Sequence, residues 1–284
     1  MTAPEVRMIV SDLDGTLLGQ GGCILAQNAA LLRQAADRGI IVAIASGRLA
    51  WSGSRFALNM GLPECRIIGM NGAHILDSPY GGLVSLTPYE EPLRSQVLRI
   101  LRDSGCVYNI YTDHGVFTNR VLTKEGEDQF RSHFAGSGVD VVITPEPAEY
   151  AFRQQVVKFL AKQKGGRPGG YEQARQALLK VPGIYLTSST DDNFEIMQTG
   201  LGKVEAVTAL AQHEGIPMDA VMAFGDYDND EGMLRACGYS VAMGNASPSA
   251  LAAARYQTAA HTEAGVARAI EAYFAGEIET MRIR

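Results

Sequence analysis

Cysteine is scarce in this chain of 284 residues, and its four cysteines lie far apart without forming a CxxC pair. Isolated cysteines argue against a disulfide framework and against a zinc site, and they suit a reducing compartment. The first residues also lack the basic region followed by an apolar region that marks a secretory signal. We therefore expect a cytoplasmic protein.

Long apolar runs and clusters of basic residues are missing as well. No uninterrupted apolar segment reaches the length of about 18 residues that a membrane-spanning helix needs, so we expect no membrane partner. There is no run of lysine or arginine, and the net charge is −6, which argues against nucleic acid as a partner. The remaining composition, with 46% hydrophobic residues, suits a large globular core.

Continuous apolar runs alternate with helical patterns near both ends of the chain. Residues 8–10, 40–45 and 220–224 form such runs, as is typical of parallel strands buried on both faces. A helical pattern over 29–38 lies between the first two runs, and another over 204–214 precedes the third. Alternation of this kind predicts an α/β fold, a Rossmann-like doubly wound parallel sheet.

The middle of the chain has a different pattern. Short alternating strands over 107–111 and 115–119 flank a turn, and helical patterns cover 91–103 and 170–180. This mixture is typical of an antiparallel sheet that carries helices. We predict an α+β domain at residues 84–189, inserted into a core made of residues 1–83 and 190–284.

The first apolar run ends in Asp12-Leu13-Asp14-Gly15-Thr16. If the strand continues, alternation places both carboxylates on one side of it. Carboxylates this close repel each other unless a cation, a phosphate or a protonated group belongs to the site. The same residues are compatible with a strand followed by an Asp-Gly hairpin turn. A calcium loop does not fit, because no glutamate follows at the required spacing.

Other predicted strands also end in polar residues. Ser46-Gly47-Arg48 offers a hydroxyl, a close backbone approach and a guanidinium to a phosphate oxygen, or it is a turn whose serine caps the next helix. The stretch 225–230, read as GDYDND, brings oxygen ligands that suit magnesium, or it is an acidic turn before a helix. Asn71-Gly72 is typical of a hairpin turn. The carboxyl ends of parallel strands meet at one edge of the sheet, so these groups are expected to converge there.

Four segments occur in the order of the four motifs of the haloacid dehalogenase superfamily: DLDGTLL, ASGR, the lysine after EIMQTGLG, and FGDYDNDEGML. The segments NGA at 71–73, VAMGNA at 241–246 and EAGVA at 263–267 further resemble its Cof-type subfamily, also called class IIB. This subfamily carries a large cap between motifs two and three. The resemblance therefore implies that residues 84–189 are a cap that selects the substrate.

The resemblance also implies a role for each residue of the motifs. Asp12 is the nucleophile that attacks phosphorus, and Asp14 is the general acid and base. The implied phosphate-binding residues are Ser46, Gly47, Lys203 and Asn229; the implied Mg²⁺ ligands are the carboxylates of Asp12 and Asp226 and the backbone carbonyl of Asp14; and Asp230 is implied to support the metal shell.

The expected function is a magnesium-dependent phosphatase that acts on a small phosphorylated metabolite, such as a sugar phosphate or a phosphorylated cofactor. Two alternatives stay open, a phosphomutase and a non-catalytic module that binds phosphorylated metabolites. The expected assembly is a monomer or a homodimer. Asp228 is an additional carboxylate within GDYDND, and it either joins the outer metal shell or faces solvent.

Overall fold

The computed structural model describes residues 5–134, 139–188 and 190–283. The chain divides into two compact units, one made of Met1–Val84 and Gly202–Arg284 and the other of Ser85–Leu201. No helix in the described ranges combines the length and the apolar character needed to span a membrane.

The strands and helices are numbered in chain order. The strands are β1 (Met8–Ser11), β2 (Ile41–Ala45), β3 (Arg66–Gly69), β4 (His74–Ser78), β5 (Gly81–Leu86), β6 (Val107–Thr112), β7 (Gly115–Thr118), β8 (Asp140–Ile143), β9 (Val156–Lys162), β10 (Ile184–Thr187), β11 (Asn193–Gln198), β12 (Val221–Gly225), β13 (Tyr239–Ala242) and β14 (Tyr256–Gln257). The α-helices are α1 (Ala26–Asp37), α2 (Ala50–Asn59), α3 (Leu93–Ser104), α4 (Lys124–His133), α5 (Ala148–Ala151), α6 (Gly170–Leu178), α7 (Lys203–His213), α8 (Glu231–Ala236), α9 (Pro248–Ala253) and α10 (Gly265–Phe274).

The first unit is built on a sheet with the strand order β14-β13-β12-β1-β2-β3-β4-β5. All pairs from β14 to β3 are parallel, and β4 pairs with β3 in the antiparallel sense. The chain begins at β1 in the middle, runs outward through β2 and β3, and returns to the other side of β1 at β12. The predicted α/β fold with a doubly wound parallel sheet is confirmed.

Both faces of this sheet are buried, which explains the continuous apolar runs. Successive residues of a strand point to opposite faces. Met8 and Val10 of β1 pack in a cluster with Val207 of α7, whereas Ile9 packs in the cluster of Leu32 in α1 and residues of α10. Burial of both faces fixes the strand positions, and therefore fixes where each strand ends.

The second unit contains a sheet with the strand order β10-β11-β9-β6-β7-β8. Its pairs are antiparallel apart from β7 with β8, which is parallel. Helices α3 and α6 pack on one face of it through Val97, Leu101, Ala174 and Leu178. Such a sheet agrees with the α+β pattern of this part of the sequence.

The predicted end of the insert needs correction. The predicted bounds ended the insert at residue 189, which lies outside the described residues, so the strand predicted over 193–197 fell within the core range 190–284. In the structure this strand, β11, lies between β9 and β10 and completes the second sheet. The second unit therefore extends to Leu201, and the first unit resumes at Gly202.

Candidate active site

Three adjacent strands of the first sheet present polar residues at their carboxyl ends. Strand β1 lies between β12 and β2, and the three end just before Asp12, Asp226 and Ser46. The Asp12 amide donates to the carbonyl of Phe224 at 3.0 Å, so the chain keeps its register with β12 up to the site. The convergence of these strand ends follows from the parallel sheet, as the sequence predicted.

Three carboxylates form a compact acidic cluster at this edge. Asp12, Asp226 and Asp230 each offer an oxygen within 4.8 Å of the others, and all three residues are buried. Lys203, the first residue of α7, inserts its ammonium among them. Its Nζ lies 2.5 Å from Asp12 Oδ1 and 2.6 Å from Asp230 Oδ1, and the residue is 2% exposed.

The charges of this cluster are not balanced by Lys203 alone. Burial, the largest cause, raises the pKa of Asp12 well above its ordinary value even though Lys203 acts in the opposite direction. Burial and then the neighbouring Asp230 raise the pKa of Asp226 to about 6. Burial lowers the pKa of Lys203, but the carboxylates of Asp12 and Asp230 outweigh that effect and the net shift is upward. An additional cation would relieve this excess of negative charge.

The hydrogen bonds of the three carboxylates distinguish their roles. Asp230 uses Oδ1 for Lys203 and accepts the amides of Asp226 and Tyr227 on Oδ2, at 3.0 and 3.1 Å. Asp12 uses Oδ1 for Lys203, and within the described part of the chain its Oδ2 accepts no hydrogen bond. Asp230 is thus committed to holding the loop and the lysine, whereas Asp12 keeps an oxygen available.

Asp226 is held by two groups from other parts of the first unit. The hydroxyl of Thr16 donates to its Oδ1 at 2.8 Å, and the amide of Asn245 donates to its Oδ2 at 3.3 Å. Gly15 lies directly against this carboxylate, with a backbone φ of +79°, and a Cβ at that position would overlap it. The glycine in the first motif is therefore required by the close approach of the backbone to Asp226.

The oxygen-only donors of this cluster fit the Mg²⁺ that was predicted. Magnesium prefers carboxylates and waters to histidine or cysteine ligands. Asp12 and Asp226 have the position and the excess negative charge for the role of ligands, and Asp230 is occupied by Lys203 and two amides.

Asp14 lies apart from the acidic cluster. Strand β1 ends at Ser11, and the chain turns through Leu13–Leu17, so the alternation expected of a continuing strand does not apply. The side chain of Asp14 is 48% exposed, and both of its oxygens accept hydrogen bonds from Arg48. The sequence offered Arg48 as a phosphate ligand and did not predict this pair.

The remaining predicted phosphate-binding residues line the same edge. Ser46 is buried and lies at the end of β2, its Oγ accepting the Arg48 amide at 3.2 Å, with Gly47 between them. Asn229 donates to Asn71 Oδ1 at 3.3 Å. Asn71 occupies the hairpin turn between β3 and β4, as its Asn-Gly sequence predicted, but its contact with Asn229 was not foreseen.

Asp228 has no place in the acidic cluster. Its side chain is exposed, and its Oδ1 accepts hydrogen bonds from the hydroxyls of Ser247 and Ser249. Of the two readings left open by the sequence, the structure favours the one in which Asp228 lies at the surface.

The sequence profile of the haloacid dehalogenase-like hydrolases matches residues 9–270 of this chain. The chain belongs to this family. The resemblance noted in the four motifs is thereby confirmed, and the protein is a hydrolase of the same family as named phosphatases. Phosphatase YwpJ of Bacillus subtilis is 29% identical over 92% of this chain and 98% of that protein.

Other members of the family align along nearly the full chain. The 5-amino-6-(5-phospho-D-ribitylamino)uracil phosphatase YcsE of Bacillus subtilis is 28% identical, covering 94% of this chain and 95% of its own. A solved haloacid dehalogenase-like hydrolase from the same organism superimposes with a TM-score of 0.81 at 25% identity, over 94% of this chain and 99% of that one. Both the core and the inserted unit therefore have counterparts in the family.

Proposed function

We propose that this hydrolase is a Mg²⁺-dependent phosphatase that cleaves small phosphorylated metabolites through an aspartyl-phosphate on Asp12. The observation that carries the proposal is the state of the Asp12 carboxylate. It is buried, one oxygen is fixed by Lys203 at 2.5 Å, and the other accepts no hydrogen bond within the described residues. A carboxylate held in this way is suited to nucleophilic attack.

The phosphoryl group needs positive and hydrogen-bonding partners, because its oxygens approach a carboxylate. Lys203 supplies a buried ammonium beside Asp12, Ser46 supplies a hydroxyl and Gly47 a backbone amide at the end of β2, and Asn229 supplies a side-chain amide. We assign these residues to the oxygens of the transferring group.

Asp14 serves as general acid and base in this proposal. In the first step Asp12 Oδ2 forms a bond to phosphorus, the bond to the ester oxygen breaks, and Asp14 gives its proton to that oxygen. In the second step Asp14 takes a proton from water, whose oxygen attacks phosphorus and releases Asp12. The half-exposed side chain of Asp14 suits a group that must meet both an alcohol and water.

The Asp12 and Asp226 carboxylates, with the backbone carbonyl of Asp14, are the residues that would hold the metal ion. When bound, Mg²⁺ supplies positive charge that reduces repulsion between the nucleophile and the phosphoryl oxygens. Asp230 keeps Lys203 and the amides of the 225–230 loop in place.

The second unit, Ser85–Leu201, is proposed to select the substrate, since Lys203 and the functional carboxylates all belong to the first unit. The name of YcsE specifies a phosphorylated ribitylaminouracil, a small polar metabolite with a phosphate ester. We propose a phosphate monoester of this general size as the substrate of this chain.

The decisive experiment screens phosphorylated metabolites for phosphate release with and without Mg²⁺ in ¹⁸O-labelled water. A phosphatase places one solvent oxygen in the released phosphate. A phosphomutase returns the phosphoryl group to substrate, without net release or solvent label, and a binding module shifts the melting temperature with metabolites but releases nothing. Either of these two outcomes would replace the proposed function.

A further inference from the structure

Arg48 holds the carboxylate of Asp14 in a two-pronged contact. Its Nε donates to Asp14 Oδ2 at 2.7 Å, and one Nη donates to Oδ1 at 2.5 Å. This fork geometry fixes both the position and the plane of the carboxylate, which a single point charge does not do. The two residues are 34 positions apart, so the contact depends on the fold and not on a local turn.

The backbone of Arg48 is itself held in place. Its amide donates to Ser46 Oγ at 3.2 Å, and its carbonyl accepts the amide of Met70 at 2.8 Å. Its guanidinium carbon lies 5.7 Å from the ring centre of Phe56 in α2. The side chain of Arg48 is 23% exposed, whereas that of Asp14 is 48% exposed. Arg48, which is held by these contacts, therefore orients the more exposed carboxylate of Asp14.

The geometry points to Arg48 as a positioning residue for Asp14. This inference rests on the proposed function, in which Asp14 transfers protons. A carboxylate has two lone-pair directions on each oxygen, and the fork uses one direction on each. The remaining directions stay accessible, because nearly half of the side chain is exposed. One of them can carry the proton that passes to the alcohol oxygen in the first step, and can accept a proton from water in the second. Arg48 thus acts on the departure of the alcohol and on the attack of water, through Asp14.

The alternative role is that of a phosphate ligand, and it predicts different kinetics. A phosphate ligand that is lost weakens the binding of every phosphorylated substrate and of inorganic phosphate. A positioning residue that is lost lowers kcat where proton transfer matters and leaves phosphate binding unchanged. The difference is greatest between an alkyl phosphate, whose alcohol needs a proton to leave, and p-nitrophenyl phosphate, whose nitrophenolate leaves without one.

The first experiment compares Arg48→Met and Arg48→Lys with wild type on an alkyl phosphate substrate and on p-nitrophenyl phosphate. We expect both variants to lose about 10- to 100-fold in kcat on the alkyl phosphate, within the range of general acid catalysis. The burst of nitrophenolate should slow less than about threefold, and the inhibition constant of inorganic phosphate should change less than about twofold, because neither depends on protonation of a leaving alcohol and the inference gives Arg48 no contact with phosphate. Arg48→Lys keeps the positive charge but cannot form the two-pronged contact, so it tests the inference even if Arg48→Met does not fold.

Arg66→Met is the matched control. Arg66 is also 23% exposed and forms an ion pair, with Glu214, but it lies at the opposite, amino end of β3. Its replacement measures the effect of losing a paired arginine away from the site. We expect the ratio of the rates on the two substrates to stay unchanged. If Arg48→Met and Arg66→Met both lowered the rates on the two substrates and the affinity for inorganic phosphate to a similar extent, Arg48 would have a structural role and the inference would be overturned.

A double-mutant cycle gives the sharpest test. If Arg48 acts through Asp14, then Arg48→Met should change the alkyl phosphate rate by less than about twofold in an Asp14→Asn background, because contacting residues that share one function are not additive. A full loss in that background, or a weakening of phosphate inhibition by about tenfold or more as expected for a lost charged contact, would overturn the inference. Failure of the proposed function is distinguishable, because wild type itself would then release no phosphate.

Discussion

Lys203 Nζ lies 2.5 Å from Asp12 Oδ1, although the two residues are 191 positions apart in the chain. The contact joins the start of α7 to the end of β1, and both side chains are buried. It leaves Asp12 with one oxygen fixed by Lys203 and one oxygen available, which suits the nucleophilic role proposed for Asp12. The same ammonium holds Asp230, so one lysine organises two of the three carboxylates.

Replacing the proposed nucleophile, Asp12, should stop the reaction without unfolding the protein. Asp12→Asn keeps the size of the side chain, and Lys203 keeps its contact with Asp230. An amide cannot form an acyl-phosphate, so we expect the rate of phosphate release to fall at least about 100-fold. Asp228→Asn is the control, since Asp228 is an exposed carboxylate bonded to serine hydroxyls. A rate above about a tenth of wild type for Asp12→Asn would remove Asp12 as nucleophile.

Replacing the proposed general acid, Asp14, should slow the reaction of some substrates more than that of others. Asp14→Asn cannot protonate a leaving alcohol, so alkyl phosphates should lose about 100-fold or more in the first step, the scale of general acid catalysis. The first step with p-nitrophenyl phosphate should be much less affected, because nitrophenolate is a good leaving group. Rapid-mixing kinetics measures the first step separately from hydrolysis of the intermediate. Equal first-step losses on both substrates would contradict the assignment of Asp14 as acid.

Removing divalent cations should abolish activity and should also change stability. The acidic cluster of Asp12, Asp226 and Asp230 surrounds a single ammonium. A cation that binds only the folded protein stabilises it by mass action, so Mg²⁺ should raise the melting temperature and chelator should lower it. Calcium should restore activity poorly, because its larger coordination shell misplaces phosphate. The melting shift should disappear in Asp226→Asn, and full activity in excess chelator would exclude the metal-dependent mechanism.

The second unit contains an ion pair whose loss should reduce stability. Lys158 Nζ lies 2.6 Å from Glu195 Oε1, and both side chains are 2% exposed. Lys158→Met should cost about 3–5 kcal/mol of the free energy of unfolding, because Glu195 would keep a buried charge without this ammonium. Lys158→Met combined with Glu195→Leu should recover most of that loss.

The matched control for this prediction is the exposed pair between Lys162 and Asp192, with side chains 22% and 47% exposed. Lys162→Met should cost no more than about 1 kcal/mol, because water screens an exposed pair. Urea unfolding of the four proteins measures these differences. A loss for Lys158→Met as small as that for Lys162→Met would show that the buried pair contributes little.

The positions of the acidic residues could be predicted from the sequence because the parallel sheet determines them. Apolar runs identified β1, β2 and β12, and neighbouring parallel strands end at one edge. The positions of Asp12 and Asp226 at this edge follow directly from this rule. The contact between Asp14 and Arg48 could not be predicted, because it depends on the turn after Ser11 and on the path of an arginine side chain.

Two other features could not be predicted from the sequence, for different reasons. Asn71 lies in an Asn-Gly hairpin turn, which is sufficient to explain the residue from the local sequence. Its contact with Asn229 therefore could not be predicted. Strand β11 has the pattern of a strand, but the pattern does not say which sheet it joins. Its pairing with β9 and β10, for example Phe194 with Ala161, shows that β11 belongs to the second unit. The predicted boundary was consequently too early.

The last prediction concerns the role of Ser85–Leu201 in substrate choice. Lys203, Asp12, Asp14 and Asp226 all belong to the first unit, so part of the chemistry should survive without the second. We expect a variant with a short Gly/Ser linker in place of residues 85–201 to hydrolyse p-nitrophenyl phosphate slowly. Its values of kcat/KM for different metabolites should become similar, because selectivity comes from contacts to the part of the substrate that is not phosphate.

The measurement is a panel of kcat/KM values for the full chain and the shortened variant, after circular dichroism shows that the variant is folded. Preferred substrates of the full chain should lose most, since they gain most from contacts with the second unit. The substrate p-nitrophenyl phosphate serves as the internal reference, because its leaving group needs little assistance. If the shortened variant keeps the ranking and the ratios of the full chain, specificity belongs to the loops of the first unit, and the proposed role of Ser85–Leu201 is wrong.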